Sequence, residues 1–529
     1  MRRPGHQALP EGAVPSPPSG AVIALNRMAF GPRPGDIAAF NALGGSDATR
    51  IAAFVAEQLD PDSIDDSAAD ARIAAAGYET LDKSLIELWQ DHVVPDPDWY
   101  IRMQPFFETE RVTFLRAVYS KRVLFEVMSE FWHTHFSVYA YDFSIGPTWV
   151  YSDRDVIRAN ALGNFRAMLE LVAQSPGMLY YLNNRENSAD GPNENYGREF
   201  LELHTLGAEN FYGNVPQNQV PTDGNGVPLG YCDEDVTAAA RCLTGWTLRD
   251  RPWDEDFGDT GEFFVYEPWH DTAAKHILGV DLPGGQDGLT DGRALLDIVA
   301  SHSGTAEFVC RKLCRRLLGD DPPQGVVDAA AAVFAANVAA PDQIAQVLEV
   351  ILLAPEFLST WAEKVKRPFE IMTSALRAGE ANWNFALDDS DTDTLFWLYD
   401  AAGQPLFAWH PPNGFPDFKG AWISSSPRVQ SWRATNWLSE VTDDFDMFRL
   451  DILGATPTGV RSAQELAEFW SNRILGRLMP TAEHDELIDF MAQGITPTLP
   501  LPLDTDEDIQ SRLRAMVGLI FMSPAFLWR

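Results

Sequence analysis

Carboxylates, imidazoles and guanidiniums crowd into a few short stretches of this chain. Gly191 to Gly207 holds three glutamates, an arginine and a histidine in one short helical segment, opened by Pro192 and Asn193 and closed by Gly207. At roughly 100° per residue, Glu194, Asn195, Arg198, Glu199 and Glu202 share one side. Tyr196, Phe200, Leu203 and His204 share the other. A carboxylate stripe of this kind is either solvated surface or one wall of a polar site. Upstream, Glu130 and His133 form Glu-x-x-His, with His135 two residues on. The i,i+3 spacing sets a carboxylate beside an imidazole, the arrangement by which helical bundles hold iron or manganese. Downstream, Trp269-His270-Asp271 offers an acid–base or metal pair, with Lys275 close behind.

These stretches nominate Glu130, His133, His135, Glu199 and His270 as ligands of a divalent metal such as Fe, Mn or Zn. They nominate Glu199, Glu202, His270, Asp271, Arg198 and Arg241 as catalytic groups. Each nomination has a plainer counterpart. His133 could sit at a helix end in the favourable dipole field, with His135 packed in the core. Asp271 could cap a following helix. Asp233 reads as the cap of a helix ending at Gly245, and Arg241 on its polar side is expected to pair with a carboxylate of the 194–206 segment.

Other polar stretches are less specific. Trp409 to Trp422 carries Pro-Pro and Asn-Gly between aromatic residues, a rigid turn that serves as a binding lip or a packing plug. Asp388 to Asp393 reads as a surface loop and Asp504 to Asp508 as a capping turn. Cys310 and Cys314 lie in a basic helix with Arg311, Lys312, Arg315 and Arg316. Four cysteines in 529 residues, none in a C-x-x-C pair, are expected to be small buried residues. Nucleophile elbows, Walker loops and strand-preceded Rossmann glycines are absent from the sequence.

The bulk charge narrows the partners. Forty basic residues against seventy-six acidic ones leave a net charge of −36, which disfavours nucleic acid and anionic membrane surfaces. No apolar run is long enough to span a bilayer. The first twenty residues have Arg2-Arg3 but lack the apolar core of a secretory signal, so the chain as written is expected in the cytoplasm.

The elements that must position these groups are helices. Residues 1–20 read as a flexible arm. From Ala21 onward helical periodicity dominates, and Phe263 to Tyr266 is the best strand candidate. Residues 213–230 and 250–261 read as long loops. The expected fold is all-α: one large multi-helix domain over 21–529, bundle-like, with at most a short β-hairpin and sub-units at 21–300 and 301–529. Three segments resemble one another: Leu169 to Leu179, Leu348 to Leu358 and Val517 to Leu527. In each an apolar helix stops before a proline and a Phe or Met followed by Leu docks back, an internal helical repeat.

The ordered set of motifs is more specific than any one of them. Phe131 to Phe136, Ser175 to Leu182, Pro192 to Gly207 and Glu234 to Trp246 come first. His270-Asp271, Lys275 with Leu278-Gly279, Thr305 to Lys312 and Pro411 to Pro416 follow. In this order they resemble the bacterial domain of unknown function 1800 family from about Ala24 to the C-terminus. The resemblance implies a helical protein, export in many relatives, and a sulfatase-like partner encoded nearby. This chain differs in showing no leader and in having Gly197 where the family usually has Ala.

Two readings follow. In one, the Glu, His, Arg and Asp residues converge on a buried site of a metal-assisted hydrolase or oxidoreductase. In the other, they form a structural salt-bridge network in a non-catalytic helical scaffold or partner protein.

Overall fold

In the computed structural model, residues 17–440 and 449–529 are described. The expected flexible arm therefore falls almost wholly outside the described residues, and the first helix starts at Gly20. Among the described residues, twenty-five α-helices carry the chain and two small antiparallel hairpins interrupt them. β1 (Trp246–Arg251) pairs with β2 (Gly258–Val265), with Trp246 opposite Val265. β3 (Lys275–Ile277) pairs with β4 (Val280–Leu282).

The all-α class holds, with one hairpin more than expected. β1 escaped sequence reading because charged Arg249, Asp250 and Arg251 break its alternation. Those charges are matched only in the fold. Asp250 accepts from Tyr180 at 2.8 Å and Arg185 at 2.6 Å, and Arg249 lies over the Phe264 ring. The segment 250–261, expected as a loop, is largely this hairpin.

All three repeat segments end in the same way. A helix stops (Phe165–Gln174, Gln343–Leu353, Glu507–Met522), and a proline then starts or immediately precedes a short one. Ser175 and Ser523 cap the short helices, each accepting from a backbone N–H at 3.3 Å. The middle copy has Ala354 at that position. Two extensive apolar cores result, and each draws on residues from both sides of residue 300.

The Val123–Phe136 helix runs where these cores meet. Apolar side chains on all its faces are buried, and so are Glu126, Glu130 and His135. A helix buried all round cannot leave its polar groups to water, so each must find a protein partner. Two π-helical turns flank it, Ser152–Ile157 and Phe200–Thr205.

Candidate functional site

Three polar side chains of the Val123–Phe136 helix, Glu130, His133 and His135, go to three different walls. Glu130 meets Arg367 at 2.6 Å and Arg316 at 3.3 Å. Arg316 continues to Glu370 at 2.6 Å, and Glu370 also holds Arg367 at 3.5 Å and the Arg529 guanidinium. Every side chain in this network is at most 5% exposed. Three guanidiniums thus face two carboxylates in a dry interior. Burial alone would push the Glu370 carboxyl up, but Arg316, Arg529 and Arg367 hold it well below the usual range.

His133 reaches the other wall. Its Nε2 lies 2.9 Å from Asp153, which also meets Arg116 at 3.3 Å. Burial opposes the Asp153 charge, yet the His133 hydrogen bond and the charges of Arg158, His133 and Arg116 bring its carboxyl down to about 2. Asp153 sits in the Ser152–Ile157 π turn. His135 donates from Nε2 to the His204 carbonyl at 3.1 Å, in the second π turn. Burial, then the Lys312 charge, holds the His135 ring well below its ordinary range.

The 191–207 segment is a helix only in its first half. Asn193 caps it, accepting from Tyr196 N at 3.1 Å, and Glu194–Glu199 is α-helical. Phe200–Thr205 then widens into the π turn, where Leu206 N bonds the Leu201 carbonyl at 2.8 Å. The extra residue in the π turn breaks the 100° wheel that placed Glu202 with Glu194. Arg198 pairs with Asp233 at 2.8 Å. Glu199 is pushed above its ordinary range by partial burial and then by the neighbouring Glu202 charge. Neither carboxylate has a hydrogen bond or salt bridge among the described residues.

The third stretch pairs within itself. Arg241 binds Asp271 at 2.6 Å, not a carboxylate of the 194–206 segment, because its guanidinium turns to the loop before β3, where the Ala274 carbonyl also accepts from it at 3.2 Å. Asp271 accepts from Ala273 N in a turn; no helix follows for it to cap. The N-cap is Cys232, and Asp235, not Asp233, closes the capping box. Both His270 nitrogens are engaged, Nε2 with Asp291 at 3.1 Å and Nδ1 with Thr244. Lys275 meets the same Asp291 oxygen at 2.5 Å, and this triad is at most 1% exposed.

The nominated ligands are thus distributed over separate partners. Among the described residues no three His, Cys, Asp or Glu side chains lie close enough to share a metal ion. Arg241, Asp271 and His270 do come together, in one loop cluster. Asp153, Asp291, Arg367, Glu370 and Arg529 are among the partners sequence reasoning missed. Each meets a group twenty or more positions away, so nothing local marks the pairing. All four cysteines are free and buried, as expected.

A cavity of about 430 Å³ adjoins the Glu130 network. Its walls are the Val123–Phe136 helix, the Ser303–Leu317 helix and the aromatic loop around Trp409 to Phe418. Gly414, at φ 72°, lets that loop lie against the helix end; a Cβ there would meet the Thr134 carbonyl at 2.0 Å. The loop is pinned elsewhere by Lys364 on Asp417 at 2.8 Å and by Ser137 on the Pro411 carbonyl at 3.2 Å.

Among the described residues no helix is long and apolar enough to cross a membrane. No curated protein and no solved structure matches the chain. A family model described as protein of unknown function (DUF1800) matches residues 23–528, and with nearly its whole length covered the chain belongs to that family.

Proposed function

We propose that this chain is a helical scaffold whose buried charges specify how its helices pack, and that it acts by holding a partner rather than by metal-assisted turnover. The observation that supports this reading is that Glu130, His133, His135, Arg198, Arg241, His270 and Asp271 each have a protein partner already. The buried pairs among these, those of Glu130, His133 and His270, define a packing arrangement more than they add stability. A sulfatase-like protein remains the partner that family resemblance implies. Elemental analysis of the purified chain tests the reading. It expects Fe, Mn and Zn all well below one per chain, and melting unchanged by a chelator. A stoichiometric metal that a His133→Ala variant loses overturns it.

A second reading, a hydrolase or oxidoreductase using an acid pair with a divalent metal, rests on Glu199 and Glu202. Both carboxylates lack a hydrogen-bond or ion-pair partner among the described residues. Glu202 lies in a π turn, a feature frequent at functional sites. Under this reading Glu199→Gln, with the fold intact, abolishes metal binding.

A further inference from the structure

The cavity beside the Glu130 network differs in charge from the rest of the molecule. Lys312, Arg315, Arg316 and Arg367 line it, against two carboxylates, Glu130 and Asp417. The chain as a whole carries −36, so its general field repels anions. A local excess of cations in such a chain needs its own explanation.

Arg316 and Arg367 are used by Glu130 and Glu370. Lys312 and Arg315 are not matched in this way. Among the described residues Lys312 has no hydrogen bond or ion pair; the Phe308 ring lies 5.3 Å away, and the Asp417 and Glu209 charges act on it from beyond ion-pair distance. Arg315 gives its Nε to the Asp320 carbonyl at 3.0 Å, and no carboxylate takes its outer nitrogens. Two further atoms of buried lining residues lack partners: Arg316 Nε and His135 Nδ1. His135 Nε2–H is committed to the His204 carbonyl, which accepts only. Its Nδ1 is therefore a buried acceptor without a partner. The opposite wall is aromatic, from Trp409, Phe415 and Phe418.

We propose that this cavity binds a small organic oxyanion, its charged head on Lys312 and Arg315 and its body against the aromatic loop. Unpaired cations supply charge-assisted hydrogen bonds to a carboxylate or phosphate. The volume suits a small molecule. Burial holds the Lys312 ammonium down to about 8, opposed by the Asp417 charge and aided by Arg315, so it is charged at neutral pH. Nothing in this depends on the scaffold reading, which concerns the packed charges rather than the unpaired ones.

Titration calorimetry on the full chain in low-chloride buffer tests the proposal, with D-glucuronate, inorganic phosphate and D-glucose as probes. At least one of the two oxyanions binds and glucose does not. Glucuronate alone points to a carboxylate head, and phosphate alone to a phosphate head. Lys312→Met and Arg315→Gln each weaken binding about tenfold or more, the loss expected for a charged hydrogen bond. Lys312→Arg retains binding, which separates lost charge from lost folding. Arg433→Gln, a surface control, binds as the parent does. Failure of both oxyanions to bind, glucose binding equally well, or unchanged affinity in both Lys312→Met and Arg315→Gln overturns the proposal.

Discussion

His133 Nε2 and Asp153 Oδ1 lie 2.9 Å apart, joining the Val123–Phe136 helix to a π-helical turn twenty residues away. The pair is at most 8% exposed, and Arg116 closes the other side of the carboxylate. The imidazole of the Glu-x-x-His motif is thereby turned away from Glu130, which faces Arg316 and Arg367. Two groups that spacing puts side by side end up serving different walls.

Asp153→Asn leaves Arg116 and His133 without their anion. The expected cost is about 3 kcal/mol or more at neutral pH, read by urea unfolding. The sign with pH follows from the depressed Asp153 value. Its contribution is present above the ordinary 3.8 of an unfolded aspartate and is lost as pH falls through about 2. The parent and the variant should therefore converge in strong acid. A constant difference down to that pH contradicts the assignment.

Glu130→Ala removes the carboxylate shared by Arg316 and Arg367. Breaking a buried pair from one side costs about 3–5 kcal/mol. In a double-mutant cycle with Arg367→Met, the second substitution should recover part of that loss, since it removes the uncompensated charge. Purely additive losses would mean the network is not coupled.

Lys366 is 4% exposed, with its ammonium over the Phe526 ring at 4.0 Å. Burial, only partly offset by Glu370, holds it down to about 7 from the ordinary 10.5. Between those values the unfolded chain binds more protons, so this group makes stability rise with pH. The rise is on the order of a few kcal/mol, and Lys366→Met should flatten it and stabilise the chain below pH 7. Unfolding midpoints at neutral and alkaline pH, compared in both proteins, decide the matter.

Gly197 lies where the Glu194–Glu199 and Asp233–Cys242 helices cross. A Cβ there would meet the Val236 carbonyl at 2.6 Å and Ala240 N at 3.0 Å. Gly197→Ala gains about 1 kcal/mol of helix propensity, yet overpacking two backbones costs about 1–3 kcal/mol. Net destabilisation is expected in thermal melts, and a rise in Tm would show that the crossing can open without cost.

Much of this architecture is local and was legible without a structure. Proline stops the three repeat helices wherever it falls, Asn193 caps its helix from its own side chain, and the four cysteines are buried. Helical periodicity is also local, which is why the all-α class could be read directly. The turn at Phe200–Thr205 could not, because inserting one residue into a helix leaves no mark on composition.

What each charge does was decided only in three dimensions. Glu130 finds Arg367 across 237 positions, and Glu370 finds Arg529 across 159. Residue types alone foretold that a helix buried on every face must pair its acids and imidazoles. Which partner each one takes depends on where distant helices cross. The same crossings leave Lys312 and Arg315 without an ion-paired carboxylate in the wall of a cavity. Periodicity within one helix carries no information about that vacancy of partners, since it arises from packing between helices.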